Sequence, residues 1–229
     1  MGQPGRDPRS AVGRLMVADT VSIATLQDWI TRFGAAVAEK REWLTELDSA
    51  IGDADHGANM ARGMSAVTEK LAASAPAAAD DLLKTVGMTL VSSVGGASGP
   101  LYGTFFLRMG MTTGAVQDLD ATGLAAALRA GLEGIVARGK PEAGDKTMFD
   151  AMSPAVDALD AAIVGGADLA EATQAAAVAA ATGRDATLPL VARKGRASYL
   201  GERSAGHLDP GAASTTLLFE TLAAAIAAG

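Results

Sequence analysis

The chain has 229 residues, 49% of them hydrophobic and only 4% aromatic, with a formal net charge of -7 and no cysteine. That length supports one sizeable core. The acidic balance argues against nucleic acid as a general partner, and the lack of cysteine excludes disulfides and thiolate zinc sites, in keeping with a cytoplasmic location.

Residues 1–19 carry Arg6, Arg9 and Arg14 without the apolar run of a secretory signal. They read as a disordered N-terminal extension, with Met16 as an alternative start, followed by one helical domain over residues 20–229. Abundant Ala favours close-packed helices over a β-sandwich. The periodicity predicts eight of them. The first spans about Thr20–Leu47, where Leu26, Ile30, Phe33 and Val37 recur at steps of three and four and mark one apolar face. The others are His56–Ala73, Ala79–Ser92, Pro100–Thr112, Ala121–Arg138 with Asp120 as N-cap, Lys146–Ile163, Leu169–Thr182 and Ala213–Ala227. No apolar stretch reaches the roughly 20 residues of a membrane span. Short links favour antiparallel neighbours, so the pattern predicts an all-α, up-and-down, eight-helix antiparallel barrel.

In such an array alternate links lie at one end. The links after the first, third, fifth and seventh helices are Asp48–Asp55, Val94–Gly99, Gly139–Asp145 and Gly183–Ala212. They hold nearly all the Gly-rich and polar material, whereas Ser74–Ala78, Thr113–Leu119 and Val164–Asp168 are plain. The functional site belongs at the first end. The last of its links is about thirty residues long without a clear period, which marks a functional or disordered loop.

Asp48, Asp53 and Asp55 fall within eight residues around Gly52, with no cation among them. Crowded carboxylates call for a counter-ion, and an all-oxygen ligand set selects a hard cation such as Mg²⁺, which keeps water and phosphate oxygens in its shell. The plain alternative is a solvated Asp-rich turn. An EF-hand does not fit, because the twelfth position from Asp53 is Met64. His56 and Asn59 share one face of the following helix, whose N-terminus favours anions. Ser92–Gly103 is a Gly/Ser turn leading into a helix. It offers free N–H groups to phosphate but lacks the Lys of a Walker A loop, and a tight helix–helix turn accounts for it equally well. In Gly139–Met148, Asp145 and Thr147 read as helix caps. Arg193, Lys194, Arg196 and Arg203 crowd the long loop at the end that holds the aspartates, where arginine can stabilise a transferring phosphoryl group.

Through Leu47–Gly63, Gly87–Phe106, Arg138–Met148 and Ala192–Gly211 the chain resembles the nucleotide-binding L subunits of dihydroxyacetone kinases, especially the phosphoenolpyruvate-dependent bacterial form. The resemblance implies a barrel closed around ADP or ATP at one end, with two Mg²⁺ ions on Asp48, Asp53 and Asp55. It implies nucleotide contacts from His56, Gly57, Ala58, Asn59, Ala97, Ser98, Gly139, Met148, Arg196, Asp209, Pro210 and Gly211, with Arg196 as the catalytic side chain. It also implies two protein partners: a K subunit that holds dihydroxyacetone, and a phosphohistidine carrier of the phosphotransferase system that recharges bound ADP. No nucleic acid or membrane is implied, and a homodimer is left open. The other readings are a subunit that uses exchangeable ATP or acts on another ketose or a fatty acid, and a non-enzymatic nucleotide-dependent regulator.

Overall fold

The computed structural model describes residues 20–229; the expected extension over 1–19 lies outside them. Nine α-helices account for most of the described chain: α1 Ile23–Glu39, α2 Arg41–Ile51, α3 His56–Ala73, α4 Ala79–Ser93, α5 Ser98–Thr113, α6 Ala121–Gly139, α7 Phe149–Val164, α8 Leu169–Ala186 and α9 Pro210–Ala228. A 3-10 segment, Arg196–Ser204, lies between α8 and α9. Two three-residue strands, β1 Thr20–Ser22 and β2 Asp118–Asp120, pair antiparallel with Val21 opposite Leu119. The all-helical expectation therefore holds. The count of eight does not.

The predicted first helix breaks at Lys40 (φ -92°, ψ 10°) into α1 and α2, with neither Gly nor Pro at the break. The sixth predicted helix starts three residues late, at Phe149, because Lys146 sits at φ +64° and cannot be helical. Pro210 takes the first position of α9, where its fixed φ suits the helix and its missing N–H is not needed. The strands are too short to show a period.

Capping fixes several entries. Ser22 Oγ accepts from Thr25 N at 3.1 Å, and Asp120 Oδ1 accepts from Gly123 N at 2.6 Å. Asp168 and Glu171 form a reciprocal capping box at the start of α8.

One continuous core runs from Val21 to Ile226. The buried stripe of α1 is Leu26, Trp29, Ile30, Phe33 and Val37. Trp29 packs against Phe106 with ring centroids 5.7 Å apart, and its Nε1–H donates to Leu218 O on α9 at 2.9 Å. From α3 to α9 each helix packs on the next in chain order, α9 packs on α1, and α1 packs on α3. Among the described residues α9 alone is long and apolar enough to cross a membrane, but 67% of it is buried within the protein and it serves as a core helix.

Candidate functional site

Four connections converge on a cavity of about 350 Å³. They are the turns from α2 to α3, α4 to α5 and α6 to α7, and the long segment from α8 to α9. These are the four connections expected at the functional end. The cavity falls in the size range of small-molecule sites.

Asp48 projects from the last turn of α2 and is 8% exposed. Its Oδ2 accepts the backbone N–H groups of Asp55 at 2.8 Å and His56 at 3.0 Å. Those bonds fold the Gly52–Asp55 turn back over α2, so the three aspartates offer ligand oxygens within 4.8 Å of one another. The turn demands a bare backbone at Gly52, since a Cβ there would meet Asp48 Oδ1 at 2.0 Å. It also holds Ala54 at φ +60°, a left-handed conformation that non-glycine residues rarely adopt. Three hard oxygen donors at this spacing fit a divalent cation. On the solvent side, Arg196 Nε pairs with Asp53 Oδ2 at 2.9 Å.

His56 lies beneath the turn. Its Nδ1 shares a hydrogen bond with Ser98 Oγ at 3.1 Å and its Nε2 one with Ser214 Oγ at 2.9 Å. Burial pushes the imidazole below its ordinary pKa, with Asp48 and Asp55 pulling the other way. Behind it, the Tyr102 hydroxyl meets Ser214 Oγ at 2.8 Å and Thr215 Oγ1 at 3.1 Å, and burial raises its pKa to about 12. Asn59 lines the cavity. Arg62 donates to Asn59 Oδ1 at 2.7 Å and to Ser93 O at 3.1 Å, which turns the amide NH₂ away from Arg62. Asp209 caps α9 by accepting from Ala212 N at 2.7 Å. Burial raises its carboxyl to about 7, despite that bond and the nearby Lys146.

Of the residues expected from the sequence, Asp48, Asp53, Asp55, His56, Asn59, Ala97, Ser98, Gly139, Met148, Arg196, Asp209, Pro210 and Gly211 all line this cavity. Gly57 and Ala58 do not. Gly57 faces α2, where a Cβ would come within 2.1 Å of Arg41 O, and Ala58 lines a shallow dent on the other side of α2. The expected cap at Asp145 is a correction, whereas Thr147 Oγ1 does accept from Phe149 N, the first N–H of α7, at 3.2 Å. The N-cap of α7 is Met148, with no side-chain bond, and Asp145 instead accepts from Arg193 Nε at 2.9 Å and from Glu142 N at 2.8 Å. Asp150 closes the preceding turn, accepting from Gly144 N at 2.5 Å and Thr147 N at 2.8 Å.

Several site residues had no local signal in the sequence. Leu101, Ile135 and Phe149 give the cavity an apolar wall; their helical spacing shows burial but not a cavity. Lys146 also lines the cavity, and its bonding partners lie 41 to 61 residues further along the chain.

The helical scaffold, the acidic cluster and the apolar wall describe a protein of the DAK2 domain class, and the model of that family, described as DAK2 domain, matches residues 50–224. The PEP-dependent dihydroxyacetone kinase, ADP-binding subunit DhaL, of Escherichia coli (strain K12) is 48% identical over 206 residues, covering 90% of this chain and 98% of that protein. A PEP-dependent dihydroxyacetone kinase 1, ADP-binding subunit DhaL, of Listeria innocua is 50% identical over 194 residues, covering 85% of this chain and 92% of the relative. The dihydroxyacetone kinase from C. freundii in complex with AMP-PNP and Mg²⁺ superposes with a TM-score of 0.68 at 25% identity, over 98% of this chain and 38% of that larger one. The chain belongs to the DhaL family of ADP-binding dihydroxyacetone kinase subunits.

Proposed function

We propose that this chain is the ADP/ATP-binding subunit of a phosphoenolpyruvate-dependent dihydroxyacetone kinase, a cytoplasmic phosphotransferase. Residues 20–229 act as one nucleotide-binding domain. Its eight long helical limbs, with α1 and α2 counted as one, form a closed antiparallel barrel. The return of α9 onto α1 and of α1 onto α3 supports that reading.

The observation that carries the function is the convergence of Asp48, Asp53 and Asp55 at one end of an apolar-walled cavity in a chain of this family. The aspartates would hold two Mg²⁺ ions, which when bound neutralise phosphate charge and polarise the transferring group. The chain's own groups do the rest. Backbone N–H groups around Gly95–Ser98, at the start of α5, line the cavity and would bind the phosphates. Asn59 offers its NH₂, turned away from Arg62. Leu101, Ile135, Met148 and Phe149 exclude water from the base. Arg196 stands on the solvent side of Asp53, where a guanidinium can stabilise charge on the phosphoryl group as it leaves.

Dihydroxyacetone would reside on a separate K subunit, and a phosphohistidine carrier would return a phosphoryl group to bound ADP. The test is reconstitution. The chain alone, given ATP and dihydroxyacetone, should form no product, and turnover should appear once the K subunit, the carrier and a phosphoenolpyruvate-fed phosphoryl supply are added. Robust phosphorylation by the isolated chain would overturn the subunit reading.

A further inference from the structure

Lys146 is a buried cation that none of the roles above uses. It is 1% exposed and sits at φ +64° in the turn before α7. Its ammonium carries three protons, and each goes to a backbone carbonyl: Thr187 O at 2.9 Å, Leu190 O at 3.1 Å and His207 O at 2.5 Å. Among the described residues no carboxylate bonds it directly. Burial pushes its pKa down, with Asp209 opposing. A buried ammonium bound only to peptide dipoles is a costly arrangement, and a left-handed backbone adds to the cost.

The choice of carbonyls gives the arrangement its sense. Thr187 and Leu190 open the segment that leaves α8, and His207 closes it before α9. The same neck is drawn together by Gly206 N donating to Leu188 O at 2.8 Å and Asp209 N donating to Thr187 Oγ1 at 3.1 Å. The neighbour Asp145 grips the segment once more, through Arg193 Nε at 2.9 Å and Arg193 N at 3.0 Å. Beyond the neck, Ala192 and Ala197 pack on Ile51 at the end of α2, with Leu200 against them, and between these anchors Arg196 reaches Asp53. A turn rooted on α7 thus holds both ends of the segment that supplies the guanidinium.

We propose that Lys146 is a positioning residue for phosphoryl transfer: its ammonium clasps the two ends of the 187–209 segment and thereby fixes Arg196 over the acidic cluster. It touches no reacting atom. The proposal rests on the placement of Arg196 at the transferring phosphoryl group, and its test separates the two claims.

Lys146→Met keeps the length and apolar stem and removes all three donors. Its amide hydrogen exchange is measured in full-length protein beside wild type, and its turnover in the reconstituted system, alone and combined with Arg196→Ala. Exchange at Ala192, Arg193 and Gly206 should quicken at least about tenfold while amides of α1 and α5 stay unchanged, the pattern of local rather than global opening. Turnover should fall by about tenfold or more, and by less than about twofold where Arg196 is already Ala, because the two act as one unit. Unchanged exchange in the segment overturns the clasp. Uniformly faster exchange together with additive turnover losses also overturns it, since that marks a plain core lysine. A freed segment with full turnover overturns the role of Arg196 and the positioning claim with it. Should Lys146→Met fail to fold, Arg193→Met releases the exposed arm of the same clasp and is read identically.

Discussion

Replacing Asp55 with Asn separates what the acidic cluster does for the fold from what it does for ligand. Asp55 sits at the N-cap of α3 but makes no side-chain capping bond, and its ligand oxygen lies within 4.8 Å of those of Asp48 and Asp53. Two unit charges at that spacing repel by about 1 kcal/mol in bulk water and about 3.5 kcal/mol at an effective dielectric constant of about 20. Asp53 is exposed, so its pair with Asp55 is largely screened; Asp48 is buried and Asp55 half-buried, so roughly 2 kcal/mol for the Asp48–Asp55 pair is a working value. Loss of a negative charge at a helix N-terminus costs about 0.3–1 kcal/mol. In chelator the variant should therefore be more stable than wild type by about 1 kcal/mol or more, a rise of about 2–4 °C per kcal/mol in a protein of this size. With Mg-ADP at a hundred times its dissociation constant, wild type should gain about 2.7 kcal/mol, or roughly 5–10 °C. The variant should gain almost nothing at the same concentrations, so the two melting curves change order between chelator and ligand. Thermal unfolding followed by circular dichroism reads both conditions. A variant that melts below wild type in chelator would refute the repulsion argument, and an equal gain from Mg-ADP would refute Asp55 as a ligand.

Arg196→Ala should leave the fold intact and lower reconstituted turnover on the order of 10³-fold at matched nucleotide occupancy; a loss under about tenfold, roughly 1.4 kcal/mol, would reduce Arg196 to a surface contact. Arg62→Met should release the Asn59 amide and weaken ADP binding about tenfold, roughly the worth of one charge-assisted hydrogen bond, with isothermal titration as the readout; unchanged affinity would mean that the orientation of Asn59 does not matter. The Asp209 carboxyl, raised to about 7 by burial, binds its proton more tightly in the folded state, so its contribution to stability is present at low pH and is lost as pH rises from about 4 through 7. Asp209→Asn removes that titration. The melting temperature of the variant relative to wild type should accordingly climb over the same window, and a flat difference across it would contradict the raised pKa.

Helix positions were legible wherever a local rule sufficed. The Leu26–Val37 stripe, the Asp120 cap and the spacing of apolar residues along α3 to α6 depend on neighbours within one or two turns. The paired strands and the late start of α7 were not legible, because distant partners impose them: β1 exists only against β2, almost a hundred residues on, and Lys146 is held by carbonyls 41 to 61 residues further along. The break at Lys40 carries neither Gly nor Pro, so no local signal marked it. The acidic cluster was legible for a different reason. Its three carboxylates lie in one short segment whose glycine and bonds to Asp48 are themselves local. The gathering of polar links at one end followed from helix order and the composition of the links.

The use of charges across those links was decided by the tertiary structure. Asp145 looked like a cap and proved to be the anchor of Arg193, while Lys146 looked like the first residue of a helix and proved to be a buried clasp on carbonyls from another connection. By itself the sequence determined the helices and the metal-binding chemistry, since backbone propensity and the crowding of like charges act over a few residues. Only the folded chain decided which cation pairs with the acidic cluster and which holds the loop. A charged side chain spends its hydrogen bonds on whatever the fold brings within about 3 Å, and that neighbour can lie anywhere along the chain.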